Sequence, residues 1–318
     1  MEKRIRLIIN KSEITAGTRG ASLGPEAVKV AARSLGKTLF KQFPTTELVD
    51  RNELLDDVPT YEHAKYIEGA IAIYNELQTA IKNCAAQGET PIVLAGDHGS
   101  AGGTIAGLKA AHPEKRIGVV WIDAHGDVHT PYTTPSGNIH GMPVAAAPCI
   151  DNLDCKRNDL DEATIEQWET LKNVGYPGPK MDVKDIVFVA VRDTEPEEDF
   201  VIANQNIRSV TVEEVRQNGV DVVFEEIQDR LKDCDLVYVS FDVDSMDPIE
   251  TSYGTGTPVE NGLLIDEART LVQKLVALPN FGCFEMVEIN PCLDEKKNKM
   301  ADVSLTILET VIDTLKTV

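Results

Sequence analysis

Short apolar runs rich in β-branched residues alternate with longer stretches of helical spacing along most of this chain, and nothing else constrains its fold as strongly. Several runs are apolar throughout, so both faces of those strands must be covered. The simplest solution is a parallel sheet with helices packed on each side. The pattern predicts strands over Ile5–Ile9, Glu47–Val49, Pro91–Ala95, Ile117–Asp123, Ile186–Val191, Leu236–Asp242 and Cys283–Ile289. Helices are predicted over Pro25–Ser34, Glu62–Gln87, Gly102–Ala111, Glu162–Asn173, Val220–Lys232, Ile265–Val276 and Ser304–Lys316. No repeat, Pro-rich linker or break in composition divides the 318 residues. The expectation is one three-layer α/β/α domain, residues 1–318, with a central, mostly parallel sheet.

Charge narrows the partners. Against 31 Lys and Arg stand 52 Asp and Glu, and a net charge of −21 repels phosphate backbones, so nucleic acid is not expected. The N-terminal apolar stretch around Leu7–Ile9 is too short for the apolar core of a signal peptide. No run approaches the roughly 18 apolar residues that span a bilayer. A cytoplasmic protein with no membrane partner is expected. Cys84, Cys149, Cys155, Cys234, Cys283 and Cys292 form no CxxC pair and read as reduced thiols, so a bound metal would not be held by sulfur.

The chemistry gathers at predicted strand ends. Asp123, His125 and Asp127 follow the apolar run Val119–Ile122, and in an extended chain alternate side chains share a face, so three metal-capable groups point together. Asp242 and Asp244, with Asp247 in the next turn, end a second strand, and Asp97 and His98 follow a third. Five of the six histidines fall within residues 98–140, and four of them, His98, His125, His129 and His140, lie in or just after these strand ends. Thr130–Pro143 and Thr251–Asn261, rich in Thr, Gly and Pro, are read as functional loops at the end where open parallel sheets bind ligands.

Taken singly, each cluster has an ordinary explanation: an Asp turn after Asp242, or a helix cap at Asp97. Together, on one side of one sheet, they point to a site of two imidazoles and four carboxylates. Without thiolate, such a set suits Mn²⁺, with Zn²⁺, Ni²⁺ or Co²⁺ also conceivable. Four like charges in one pocket call for two divalent cations.

The segments Gly96-Asp97-His98, Trp121-Ile122-Asp123-Ala124-His125-Gly126-Asp127 and Ser240-Phe241-Asp242-Val243-Asp244-Ser245-Met246-Asp247-Pro248 resemble the three signatures of the ureohydrolases, the arginase and agmatinase superfamily. The resemblance runs from about Gly24 to Pro291. It implies a single catalytic domain of arginase-like fold and two Mn²⁺ per chain, held by His98, Asp123, His125, Asp127, Asp242 and Asp244. Asp123 and Asp242 would bridge the ions.

Within the superfamily, Thr130–Gly141 (TPYTTPSGNIHG) is similar to arginase rather than agmatinase or formimidoylglutamase. The likeness implies that Thr134, Ser136 and Asn138 hold an α-carboxylate, that His140 shuttles protons, and that Glu288 grips a guanidinium. Arg192–Glu198 resembles the segment that meets the α-amino group, with Glu195 where Asp is usual. His129 stands where many arginases carry an Asn that helps hold the α-carboxylate. A homo-oligomer, trimer or hexamer, is implied by the same resemblance. Tyr132 is expected to pack its loop, and His63 and His112 receive no role.

The activity this implies is hydrolysis of L-arginine to L-ornithine and urea by a hydroxide that bridges two metals, with Asp127 relaying its proton. Agmatine or another guanidino compound is the alternative substrate. A binuclear phosphoesterase fits less well, because the spacing around Asp97-His98 and Asn138–His140 is wrong for it. A non-catalytic relative should have lost ligands, and none of the six is missing.

Overall fold

The computed structural model describes residues 3–318. Eight strands form one sheet, and every neighbouring pair is parallel. In chain order they are β1 (Ile5–Asn10), β2 (Thr45–Glu47), β3 (Thr90–Ala95), β4 (Ile117–Ile122), β5 (Ile186–Val189), β6 (Arg208–Val210), β7 (Leu236–Asp242) and β8 (Phe281–Val287). In space the order is β2-β1-β3-β8-β7-β4-β5-β6.

Alternate residues of the strands feed two cores. On one face Ile5, Leu7, Leu94, Val120, Val239 and Phe284 pack against α1 (Gly24–Ser34), α2 (Leu39–Gln42), α8 (Val212–Asn218), α9 (Val220–Arg230), α10 (Ile265–Val276) and α11 (Lys299–Thr317). On the other, Ile8, Val93, Trp121, Phe188 and Tyr238 meet α3 (Ile67–Ala86), α4 (Ala101–Ala111), α5 (Pro143–Ala146) and α7 (Pro196–Asn204). A smaller cluster seats Trp168 of α6 (Glu162–Lys172) on α3, and Tyr132 packs there, as expected. Among the described residues no helix is long and apolar enough to cross a membrane.

The fully buried strands lie within a residue or two of their predicted positions, because burial on both faces leaves an unbroken apolar run. The edges differ. Strand β2 is Thr45–Glu47 rather than Glu47–Val49, and β6 was not expected, since three half-buried edge residues carry no apolar run. The short helices α2, α5, α7 and α8 were also missed. Helix α3 begins at Ile67 instead of Glu62, because Tyr66 turns into the left-handed region with φ 57°. At the other end of the chain, α11 begins at Lys299, just after Asn298 with φ 71°.

This topology places β3, β8, β7 and β4 side by side, so four carboxyl-terminal strand ends meet at the middle of the sheet. Helix α4, which continues directly from the turn bearing His98, packs closely on α3 through glycine. A Cβ at Gly107 would lie 2.6 Å from Ile81 Cβ and 2.9 Å from Gln78 Cα. Gly107→Val should therefore separate the two helices and cost about 1–3 kcal/mol, read from urea unfolding of the metal-free protein. A variant as stable as the parent would show that the close approach is not needed.

Candidate active site

Two buried clusters stand at the central strand ends. His98 Nδ1 lies 2.8 Å from Asp123 Oδ2 and 3.2 Å from both Asp127 Oδ2 and Asp242 Oδ2. His125 Nδ1 lies 3.1 Å from Asp244 Oδ2 and 3.4 Å from Asp123 Oδ1. The two oxygens of Asp123 thus face one imidazole each. Asp242 faces His98 through Oδ2, while its Oδ1 accepts the Asp244 backbone N–H at 2.9 Å. Asp97 and Asp247, beside these motifs in sequence, are turned elsewhere: their carboxylates accept the backbone N–H groups of Thr15 and Ile249.

The donor set suits cations. His98 Nδ1 and Asp123 Oδ2 are buried and, although 2.8 Å apart, make no well-aligned hydrogen bond to each other or to another group. The donor atoms of His98, Asp123 and Asp127, and those of Asp123, His125 and Asp244, lie within 4.8 Å of one another in each group. Without a metal these groups must hold protons instead. Burial disfavours the imidazolium forms, yet the surrounding carboxylates raise His98 and His125 well above the ordinary histidine value. Burial raises Asp242 well above the carboxylate range, and burial with Asp123 lifts Asp127 to about 6. Asp123 moves the other way: burial opposes its charge, but His125 and His98 hold it below the usual value.

A cavity of about 290 Å³ opens over these clusters. Among the described residues no lysine or arginine lines it. At its base Glu288 Oε1 accepts the His98 backbone N–H at 2.9 Å and stands 3.8 Å from His140 Nδ1. Burial, then the charge of Asp97, raises Glu288 to about 8. His140 is pushed down to about 4 by burial and by His125 and His98, so its imidazole is neutral. Asp127 and Glu288 both adopt left-handed backbone, φ 49° and 65°, a local strain typical of residues held for function.

The loop after β4 supplies the polar wall. Thr134 Oγ1 accepts the backbone N–H groups of Ser136 and Gly137, and Ser136 Oγ accepts that of Asn138. Gly137, at φ 77°, cannot be replaced freely because a Cβ would strike the Glu62 carbonyl. Across the cavity His129 Nε2 meets Glu195 Oε2 at 3.2 Å, and its Nδ1 lies 3.1 Å from Thr133 Oγ1. His129 holds Glu195 down to about 2.

Apart from Asp97 and Asp247, every residue that the sequence placed at these strand ends or in the substrate loops as a ligand or contact lines the cavity or belongs to the two clusters. Three further residues lie in segments singled out above, Arg192–Glu198 and Thr251–Asn261, but received no role of their own. Buried Glu198 accepts the Glu195 and Val128 backbone N–H groups and is raised to about 9 by burial and by Glu195. Its place three residues after Glu195, with Pro196 between, is a helix-start pattern that could have flagged it. Thr257 donates its hydroxyl to Asp244 Oδ2 at 3.0 Å. The Arg192 guanidinium donates to the carbonyls of Ala190, Asp244, Val259 and Glu260, tying the loops beneath the site together.

Fold and site together define an α/β protein with a metal-ligand cluster at the carboxyl edge of a parallel sheet. The Arginase family profile matches residues 5–313, and the chain belongs to that family. It is 33% identical to the arginase of Bacillus caldovelox over 96% of this chain and 97% of that one. The crystal structure of arginase from Bacillus subtilis superposes with a TM-score of 0.80 at 30% identity, covering 98% of both chains. Entamoeba histolytica arginase in complex with L-ornithine gives 0.81 at 26% identity, covering 98% and 99%.

The raised values of Glu288, Glu198, His98 and His125 share one sign. A group raised in the folded state contributes stability below its unfolded pKa and loses it as pH climbs through the folded value. The chelated protein should therefore lose thermal stability between about pH 6.5 and 9, and less so with divalent metal in place of the protons. Melting curves of chelated and Mn²⁺-loaded protein across that range check this, and a chelated protein that grows more stable with pH would contradict it.

Proposed function

We propose that this chain hydrolyses the guanidinium group of L-arginine to L-ornithine and urea. The observation that carries the reading is Glu288, a buried carboxyl group lining a cavity that has histidines but, among the described residues, no lysine or arginine, beside a cluster of metal ligands. A planar guanidinium is the cation that a carboxylate grips in two places at once, and its positive charge beside Glu288 favours the ionised form that burial alone disfavours. The family membership and the arginase relatives support the same reading.

His98, Asp123, His125, Asp127, Asp242 and Asp244 would hold two Mn²⁺. Cations bound there supply Lewis acidity, which makes water a nucleophile near neutral pH and cancels the repulsion among the carboxylates. Glu288 orients the guanidinium carbon for addition of the water oxygen. Asp127 accepts the proton that the water gives up. The bond between that carbon and the nitrogen of the aliphatic chain then breaks as Asp127 passes the proton it took to that nitrogen, and His140, neutral at rest, takes a proton from solvent and delivers it to the product amine. Thr134, Ser136 and Asn138 hold the α-carboxylate, with Glu195 and His129 at the α-amino end.

One observation favours the alternative substrate, agmatine or another guanidino compound: His129 is engaged by Glu195 rather than free to donate to an α-carboxylate. The catalytic unit in this reading is the whole chain, acting as a homo-oligomer in the cytoplasm. The six cysteines, all free thiols, fit a reducing compartment, and sedimentation would give the subunit number.

Urea release from L-arginine and from agmatine, measured side by side after Mn²⁺ loading and again after chelation, tests the proposal. Arginine should turn over far faster, with activity lost on chelation and restored by Mn²⁺. Ser136→Ala should lower kcat/KM for arginine about 10-fold and leave agmatine unaffected, the loss expected for one hydrogen bond to a charged group. Faster release from agmatine would transfer the assignment to the alternative.

A further inference from the structure

Behind His98 lies a buried chain of hydroxyl groups that the proposed reaction does not use. His98 Nε2 is 2.7 Å from Ser240 Oγ, which is 3.1 Å from the Tyr238 hydroxyl, which is 2.8 Å from Glu285 Oε2. Strand pairing sets this up, because Ser240 of β7 lies opposite Glu285 of β8. Glu285 is fully buried, and its other oxygen, Oε1, meets Ser100 Oγ at 2.8 Å. We propose that Glu285 and Tyr238 are positioning residues that fix the direction of this chain, so that His98 keeps its hydrogen on Nε2 and leaves Nδ1 bare as a metal ligand. The inference rests on the metal centre of the preceding section.

The direction follows from counting hydrogens. Tyr238 has one to give and two neighbours to receive it, and the carboxyl oxygen is both nearer and the stronger acceptor. Its own oxygen is then left to accept from the Ser240 hydroxyl. Ser240, its hydrogen so committed, can only accept from Nε2–H. With Glu285 ionised, both oxygens accept, Oε2 from Tyr238 and Oε1 from Ser100. With its proton on Oε1, that oxygen donates to Ser100, whose hydroxyl turns to the Asp97 carbonyl at 2.7 Å, and Oε2 still accepts from Tyr238. The inferred direction therefore requires Oε2 to carry no hydrogen.

Without that acceptor the chain reverses. Tyr238 then donates to Ser240 and Ser240 to Nε2, which moves the imidazole hydrogen of a neutral His98 to Nδ1, among Asp123, Asp127 and Asp242, where the cation belongs. The ring cannot escape by turning over easily, because it lies flat on the Trp121 indole, with centroids 3.9 Å apart and planes 5° from parallel. A histidine ligand's partner on its other nitrogen ordinarily sets its tautomer and basicity. Here the deciding group stands two hydroxyls further back.

The test is equilibrium dialysis of the stripped full-length protein against Mn²⁺, with bound metal measured directly, for the parent chain and for Tyr238→Phe, Glu285→Met and Glu285→Gln. Tyr238→Phe and Glu285→Met should bind Mn²⁺ about 10- to 100-fold more weakly, the usual cost of losing an outer partner of a metal ligand. Glu285→Gln should restore binding to within about threefold, since its amide can turn oxygen to Tyr238 and NH₂ to Ser100. Thermal melts of the metal-free proteins identify any variant that fails to fold, and Tyr238→Phe, the smallest change, decides alone if Glu285→Met does. Parental affinity in Tyr238→Phe, or a Glu285→Gln as weak as Glu285→Met, would overturn the inference. A parent chain that binds no Mn²⁺ would instead remove the metal centre on which it stands.

Discussion

Like charge gathered in a small buried volume is the constraint on which the rest of this structure depends. Asp123, Asp127, Asp242 and Asp244 lie together at the carboxyl edge of the sheet, all of them largely or wholly withdrawn from water. Ions so placed need partners, because the interior screens their repulsion poorly and removes their hydration. Two imidazoles supply part of the compensation, and divalent cations suit the remainder. Arg192 is the nearby permanent cation, yet its guanidinium is spent on backbone carbonyls, where it braces the loops instead of neutralising a carboxylate.

A rigid frame makes such a concentration tolerable. Apolar strands covered on both faces hold the ends of β3, β8, β7 and β4 in fixed register, so the carboxylates cannot drift apart to relieve their repulsion. The same rigidity lets Asp127 and Glu288 remain in left-handed backbone, which Asp tolerates better than Glu. Behind the frame the hydroxyl chain from Ser240 to Glu285 extends the order of the site into the core. The strands that carry the ligands at their ends therefore also carry, a few residues back, the groups that orient one of them.

How much was readable in advance depended on burial. Central strands such as Ile117–Ile122 and Leu236–Asp242 announce themselves as unbroken apolar runs, because helices cover both faces. Edge strand β6 and the short helices α7 and α8 do not, since half-exposed elements of three to nine residues leave too weak a pattern. The site divides in the same way. The D-x-H-x-D and D-x-D spacings were legible because alternate residues at a strand end share a face. For Glu198, Thr257 and Arg192 only the segments were legible and not the roles, because what matters about them is the residues they touch from distant parts of the chain.

The sequence by itself determined the layered α/β class, the strands that carry polar groups at their ends, and the kinds of ligand those groups make. Those properties are local, set by side-chain periodicity and by the chemistry of carboxylate and imidazole. Only the tertiary structure decided that strands third, eighth, seventh and fourth in the chain stand side by side, which brings His98, Glu288, Asp242 and Asp123 to one place. It also decided that His129 turns to Glu195, and that Glu285 looks toward His98 through two hydroxyls. Neighbourhood across a sheet is set by crossover connections and by the packing of whole helices, and no short window of sequence contains either.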